Sequence, residues 1–97
     1  MAEGQTNEYV AECFWPGVQD GDLRLLDERV HAAASELARS GEHVRYLGSI
    51  LMRGDEVVLC QLEGTAEAVR EIAIRAQVPF ERIIETARSP WIAPSGT

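Results

Sequence analysis

The sequence predicts one small α+β domain of the split βαβ kind, a four-stranded antiparallel sheet with two helices on one face. Three observations carry this. The apolar periodicity changes along the chain in the order strand, helix, strand, strand, helix, strand. The two middle strand-like runs flank Gly54-Asp55, a pair typical of a hairpin turn. Each helical stretch carries one apolar stripe at three- and four-residue steps. The order β-α-β-β-α-β is the ferredoxin-like plan.

The elements follow in order. Residues 1–7 are polar and expected to be disordered, and a single domain spans 8–87. The first strand is predicted over 8–14, followed by the loop "WPGVQDGD". The first helix is predicted over 22–40, with Leu23, Leu26, Val30, Ala34 and Leu37 as its stripe, Asp22 as its cap and Gly41 at its end. Strands two and three are predicted over 43–53 and 56–63. Thr65 caps a second helix over 66–77, whose stripe is Val69, Ile72, Ala73 and Ala76. Pro79 breaks that pattern, and "RIIETA" forms the fourth strand over 82–87. The tail 88–97, "RSPWIAPSGT" with its preceding strand complete, carries two prolines and is expected to be loose or to dock on something; Trp91 is suited to cap a partner's surface.

Composition narrows the function. The 97 residues suffice for one domain, and the net charge of −7 argues against a binder of nucleic-acid phosphates. All nine basic residues are arginine, so no polybasic lysine patch addresses a membrane. No stretch approaches the roughly 20 apolar residues needed to span a bilayer. The N-terminus lacks the charged and apolar regions of a signal peptide, which points to the cytoplasm. In that compartment Cys13 and Cys60, both in apolar strands, are expected to be free core thiols. Walker loops, dinucleotide fingerprints, paired CxxC motifs and triad spacings do not occur.

Alternation along the strands sorts candidate residues by face. A turn at 54–55 pairs residue 51 with 58, 49 with 60 and 47 with 62. Leu47, Ser49, Leu51, Val58, Cys60 and Leu62 then face the helices, whereas Tyr46, Gly48, Ile50, Met52, Val57, Leu59, Gln61 and Glu63 face away. Glu12 lies in the middle of an apolar strand, and an unpaired carboxylate under two helices would cost several kcal/mol. The uncovered face is therefore its expected place, and the same reasoning puts Glu85 and Ile83 there. The expected patch of Val10, Phe14, Ile50, Met52, Val57, Leu59 and Ile83 is large for a monomer, so a homodimer with two sheets packed as an α+β barrel is expected.

Several chemistries suit this face. Glu12 and Glu85 in a partly dry cavity could share a proton, or an arginine such as Arg45 or Arg82 could pair with them. As an enzyme without cofactor, the protein would use Glu12 as general base, with Tyr46 or Gln61 steadying an oxyanion in an oxygenase, isomerase or cyclase. As a small-molecule binder it would use Glu12, Tyr46, Gln61, Glu63 and Glu85. As a metal protein it would draw on Glu12, His43, Glu63, Glu85 and Cys60. His31 falls four residues after Asp27, a spacing that suits a surface helix pair.

Glu12, Pro16 and Gly17 in "ECFWPG", Cys60 in "VVLCQLEG", and the runs "AEAVRE" and "PFERIIE" occur in one order. In this the chain resembles, over about 8–87, a family of small bacterial ferredoxin-like proteins that includes a dimeric nickel-binding protein. The resemblance implies the fold, a homodimer and a divalent metal such as nickel. The family often has a histidine on its second helix where this chain has Ile72.

Overall fold

The computed structural model describes residues 6–95. Its elements are β1 (Asn7–Phe14), α1 (Asp20–Arg39), β2 (Arg45–Met52), β3 (Val57–Gly64), α2 (Ala66–Arg75) and β4 (Arg82–Thr86). The sheet is antiparallel in the order β2-β3-β1-β4, the ferredoxin-like arrangement predicted. Most of the N-terminal segment expected to be disordered lies outside the described residues, and Asn7 is already paired opposite Gly64. Residues 87–94 have neither helix nor strand.

Local chemistry sets the helix ends. α1 begins two residues before the predicted start, because Asp22 serves the third helical position rather than the cap. Its carboxylate accepts the Gln19 backbone N–H at 2.9 Å. At the other end Gly41, at φ +100°, donates to Ala38 and Glu42 donates to Leu37, which closes a Schellman motif. Thr65 caps α2 as predicted, its Oγ1 accepting the Ala68 N–H at 3.1 Å. α2 closes with the same motif, but with Gln77 in the left-handed position at φ +56°.

The core lies between the helices and one sheet face. Leu26, Val30 and Leu37 of α1 and Val69, Ile72 and Ala73 of α2 pack on Ala11, Cys13, Val58, Cys60 and Leu62. Small residues in the middle of β1 and β3 let α2 approach closely, while α1 lies nearest β2. Both cysteines are free and buried, as expected.

Two register features differ from the sequence prediction. The hairpin loop has four residues, 53–56, with Glu56 rather than Gly54 at positive φ, yet Leu51 still faces Val58 and Ser49 faces Cys60. Beyond Gly48 the ladder slips by one residue, so Tyr46, not Leu47, faces Leu62. Gly48, at φ +117°, makes this bulge possible, since only glycine adopts that backbone without strain. The slip turns Tyr46 to the helix-covered side.

On β4 the prediction is also corrected. Ile83 faces Ala11 and Glu85 faces Tyr9, so both are on the helix side, whereas Arg82, Ile84 and Thr86 are on the uncovered side. Ile83 packs against the core. Glu85 nonetheless remains exposed, because the helices lie over β1, β2 and β3 and leave this edge strand open. A carboxylate there is solvated on either face, so the cost of burial could not decide its side.

Backbone strain at these positions is measurable by urea unfolding. Gly48→Ala meets no steric obstacle at its Cβ, so its cost is conformational, about 1–3 kcal/mol of lost stability. Gln77→Gly relieves left-handed strain and should raise stability by up to about 1 kcal/mol. Unchanged midpoints in both would contradict the assigned backbone conformations.

Candidate functional site

The uncovered sheet face is built row by row from the register. One end carries charge: Arg45, Glu63, Glu8 and Thr86 lie side by side. Arg45 Nε donates to Glu63 at 3.0 Å, and Arg88 donates to Glu8 at 3.0 Å. The next row holds Gln61, Val10 and Ile84. Then come Ile50, Leu59, Glu12 and Arg82, and finally Met52, Val57 and Phe14. None of these side chains is buried in the single chain.

Glu12 is therefore where the cost of burying a carboxylate requires it to be. Leu59 and Arg82 flank it directly, Arg82 being one of the two arginines that the sequence offers as its partner, and Gln61 is one row away, opposite Val10. Arg82 Nε donates to Glu12 Oε1 at 2.6 Å, and this hydrogen bond holds the guanidinium above its ordinary pKa. The Glu12 side chain is 30% exposed, and Arg82 is largely exposed. Glu85, expected beside Glu12, is on the opposite side of β4. The proton-sharing pair of Glu12 and Glu85 is therefore not formed.

Tyr46 is also removed from this face. Its hydroxyl donates to Asp27 Oδ1 on α1 at 2.5 Å, and the Ser49 hydroxyl donates to the same oxygen at 2.8 Å. Asp27 thus serves β2 rather than the expected pair with His31, which is exposed on α1. Burial, and then the hydrogen bond to Asp27, push the Tyr46 hydroxyl well above its ordinary pKa. Tyr46 cannot steady an oxyanion beside Glu12 from the far side of the sheet. The Asp27–Tyr46–Ser49 cluster was not foreseen, although a glycine inside a strand pattern is a signal of a bulge.

The expected metal donors are dispersed. Cys60 is buried under the helices, where the adjacent Cys13 thiol and then burial push it up, away from the thiolate a metal needs. His43 and Glu63 line one groove of about 480 Å³ near the start of β2, but Arg45 already occupies Glu63. Glu12 is paired with Arg82 two rows from Glu63 on the adjacent strand. Ile72, at the position where the resembled family often has histidine, is fully buried in the core. Among the described residues no three His, Cys, Asp or Glu side chains form a metal-binding cluster. Within one chain, this donor set does not fit a metal ion.

The loop "WPGVQDGD" is tied to the β2–β3 hairpin. The Trp15 N–H donates to the Glu56 carbonyl at 2.8 Å, and the Gly17 N–H donates to the Glu56 carboxylate at 2.9 Å. Among the described residues, no helix is long and apolar enough to cross a membrane.

This sheet, two helices on one face and an uncovered opposite face, defines a ferredoxin-like α+β protein. The sequence matches no protein-family model and no curated protein. Among solved structures it is similar to SCO4226 from Streptomyces coelicolor A3(2), whose crystal structure shares 20% identity. The TM-score is 0.69, over 86% of this chain and 99% of that one. At this identity the likeness shows the shared fold.

Tyr46 yields a pH prediction. An unfolded tyrosine ionises near pH ~10, whereas folded Tyr46 keeps its proton to higher pH. Its contribution to stability is therefore complete below about pH 10 and is lost as pH rises, because only the unfolded chain releases the proton. Tyr46→Phe should lose about 1–2 kcal/mol at neutral pH and then decline less steeply between pH ~9 and ~11. Parallel decline of the two proteins in urea titrations would refute the buried hydrogen bond.

Proposed function

We propose that the protein is a homodimer whose uncovered sheet faces pack together as an α+β barrel and hold a small organic ligand between them. The observation that supports this reading is the face itself. Val10, Phe14, Ile50, Met52, Leu59 and Ile84 lie unburied around one polar pair, Glu12–Arg82. So large an apolar face is unusual for a protein that stays monomeric. A second copy covers it economically, because a two-fold axis matches the patch to itself.

The polar pair suggests the ligand class. Arg82 bonds Glu12 through Nε, which leaves its terminal nitrogens for an anionic group. Glu12 then holds the guanidinium in place, and Gln61 adds a hydrogen-bonding amide one row away. A small molecule with an apolar body and a carboxylate head suits these surroundings. The reading of Glu12 as general base has less support, since its Oε1 already accepts the Arg82 N–H. A nickel or other divalent site would require donors from both copies.

Native mass spectrometry of the untagged protein tests this. The expected result is a dimer carrying an organic mass that survives chelator treatment. Arg82→Ala should remain dimeric and lose that mass, and Leu59→Arg should be a folded monomer. A divalent metal mass removed by chelator would replace the organic ligand with a metal. A bare dimer would reduce the face to an interface, and a monomer at tens of micromolar would overturn the proposal.

A further inference from the structure

Along one row the uncovered face changes character. Arg82 on β4 and Glu12 on β1 form its polar half, and Leu59 on β3 and Ile50 on β2 form its apolar half. The next row continues the apolar half with Val57 and Met52. Ile50 and Met52 are 47% and 41% exposed, so the single chain leaves this patch open.

The charges around the patch give it a direction. Arg45 and Arg88 belong to the row of Glu63 and Glu8, two rows away, and each is bonded to one of those glutamates. Arg53, which follows β2, turns instead to Asp20 on α1. Arg82 is thus the cation of this row, and the apolar end of the row carries none. Glu12 already offsets part of its charge, so Arg82 suits a ligand with one negative group at one end.

Geometry sets the length of that ligand. Neighbouring strands lie about 4.8 Å apart, so three spacings put Ile50 about 14 Å from Arg82. An extended chain advances about 1.2 Å per bond, since a residue of three bonds spans up to about 3.6 Å. About 8 to 12 bonds then cover the row, the smaller figure because the Arg82 side chain reaches part of the way. The lining sets the chemistry of the body. Leu59, Ile50, Val57 and Met52 are all aliphatic and offer no ring for an aromatic ligand to stack on. Unbranched Met52 adapts its shape to a flexible chain.

We propose that the ligand of this face is a straight-chain monocarboxylic acid of about ten carbons, its carboxylate on the terminal nitrogens of Arg82 and its chain across Leu59, Ile50, Val57 and Met52. This rests on the reading of the face as a ligand site and adds to it the ligand's length, charge and direction.

Isothermal titration calorimetry of the untagged full chain tests it with acetate, hexanoate, octanoate and decanoate, each below the concentration at which it forms micelles. Kd should fall about three- to fourfold for each added carbon, the gain expected of a buried methylene. Decanol, which lacks the charge, and decanedioate, which brings a second carboxylate to the apolar end, should each bind about tenfold or more weaker than decanoate. Arg82→Ala should remove the preference for decanoate over decanol. Methyl-labelled methionine reports the direction, because the chain has two methionines and Met52→Leu assigns the signals. Decanoate should shift the Met52 methyl resonance, and hexanoate, too short to reach β2, should leave it in place. A Kd that does not fall with chain length, decanedioate binding as tightly as decanoate, or a Met52 signal unmoved at saturation overturns the assignment. A dimer that binds none of these acids also overturns it and leaves the sheet-face dimer standing. A monomer that binds none of them overturns both.

Discussion

The pairing of β1 with β3 places Ala11 against Cys60 and Cys13 against Val58 at the centre of the sheet. These small side chains form a floor beneath the helix layer, and all four are fully buried. The same register sends Glu12 and Leu59 to the opposite side. A slip of one residue would put Glu12 beneath the helices and the core residues in water, so the burial cost of a single carboxylate reinforces the hydrophobic pattern. One pairing thus defines both the core and the face that remains open.

Two helices cover one side of a four-stranded sheet and cannot cover both. The open side is consequently a surface of mixed character: charge pairs at the end bearing Glu8 and Glu63, apolar side chains through the middle, and one ion pair at Glu12. Such exposed ion pairs contribute little to stability. Their value here is geometric, because each holds an arginine in a set place, Arg82 beside the apolar strip and Arg88 at the root of the tail. On the covered side, the polar groups of Asp27, Tyr46 and Ser49 satisfy one another between α1 and β2. Polar chemistry is thus divided between the faces, buried against a helix on one side and exposed as ion pairs on the other.

The order of elements, the Thr65 cap, the end of α1 at Gly41, the two free thiols and the exposed side for Glu12 were all legible in the chain. Each depends on local sequence or on a strong burial preference. Where an apolar stripe or a carboxylate has only one tolerable environment, its periodicity reports its surroundings. The positions of Tyr46 and Glu85 were not legible in this way. Tyrosine is at home on either side of a sheet, and a glutamate on an open edge strand is solvated on both.

The sequence by itself determined the fold and which face of β1 bears Glu12, because alternation and helical periodicity are local and the hydrophobic effect acts on them directly. Only the tertiary structure decided that Glu12 pairs with Arg82 rather than Glu85, and that Tyr46 bonds Asp27 beneath a helix. Both outcomes turn on single-residue register, at the Gly48 bulge and along β4. Register is set by the sum of packing across strands distant in sequence, and no one of the strands carries it alone.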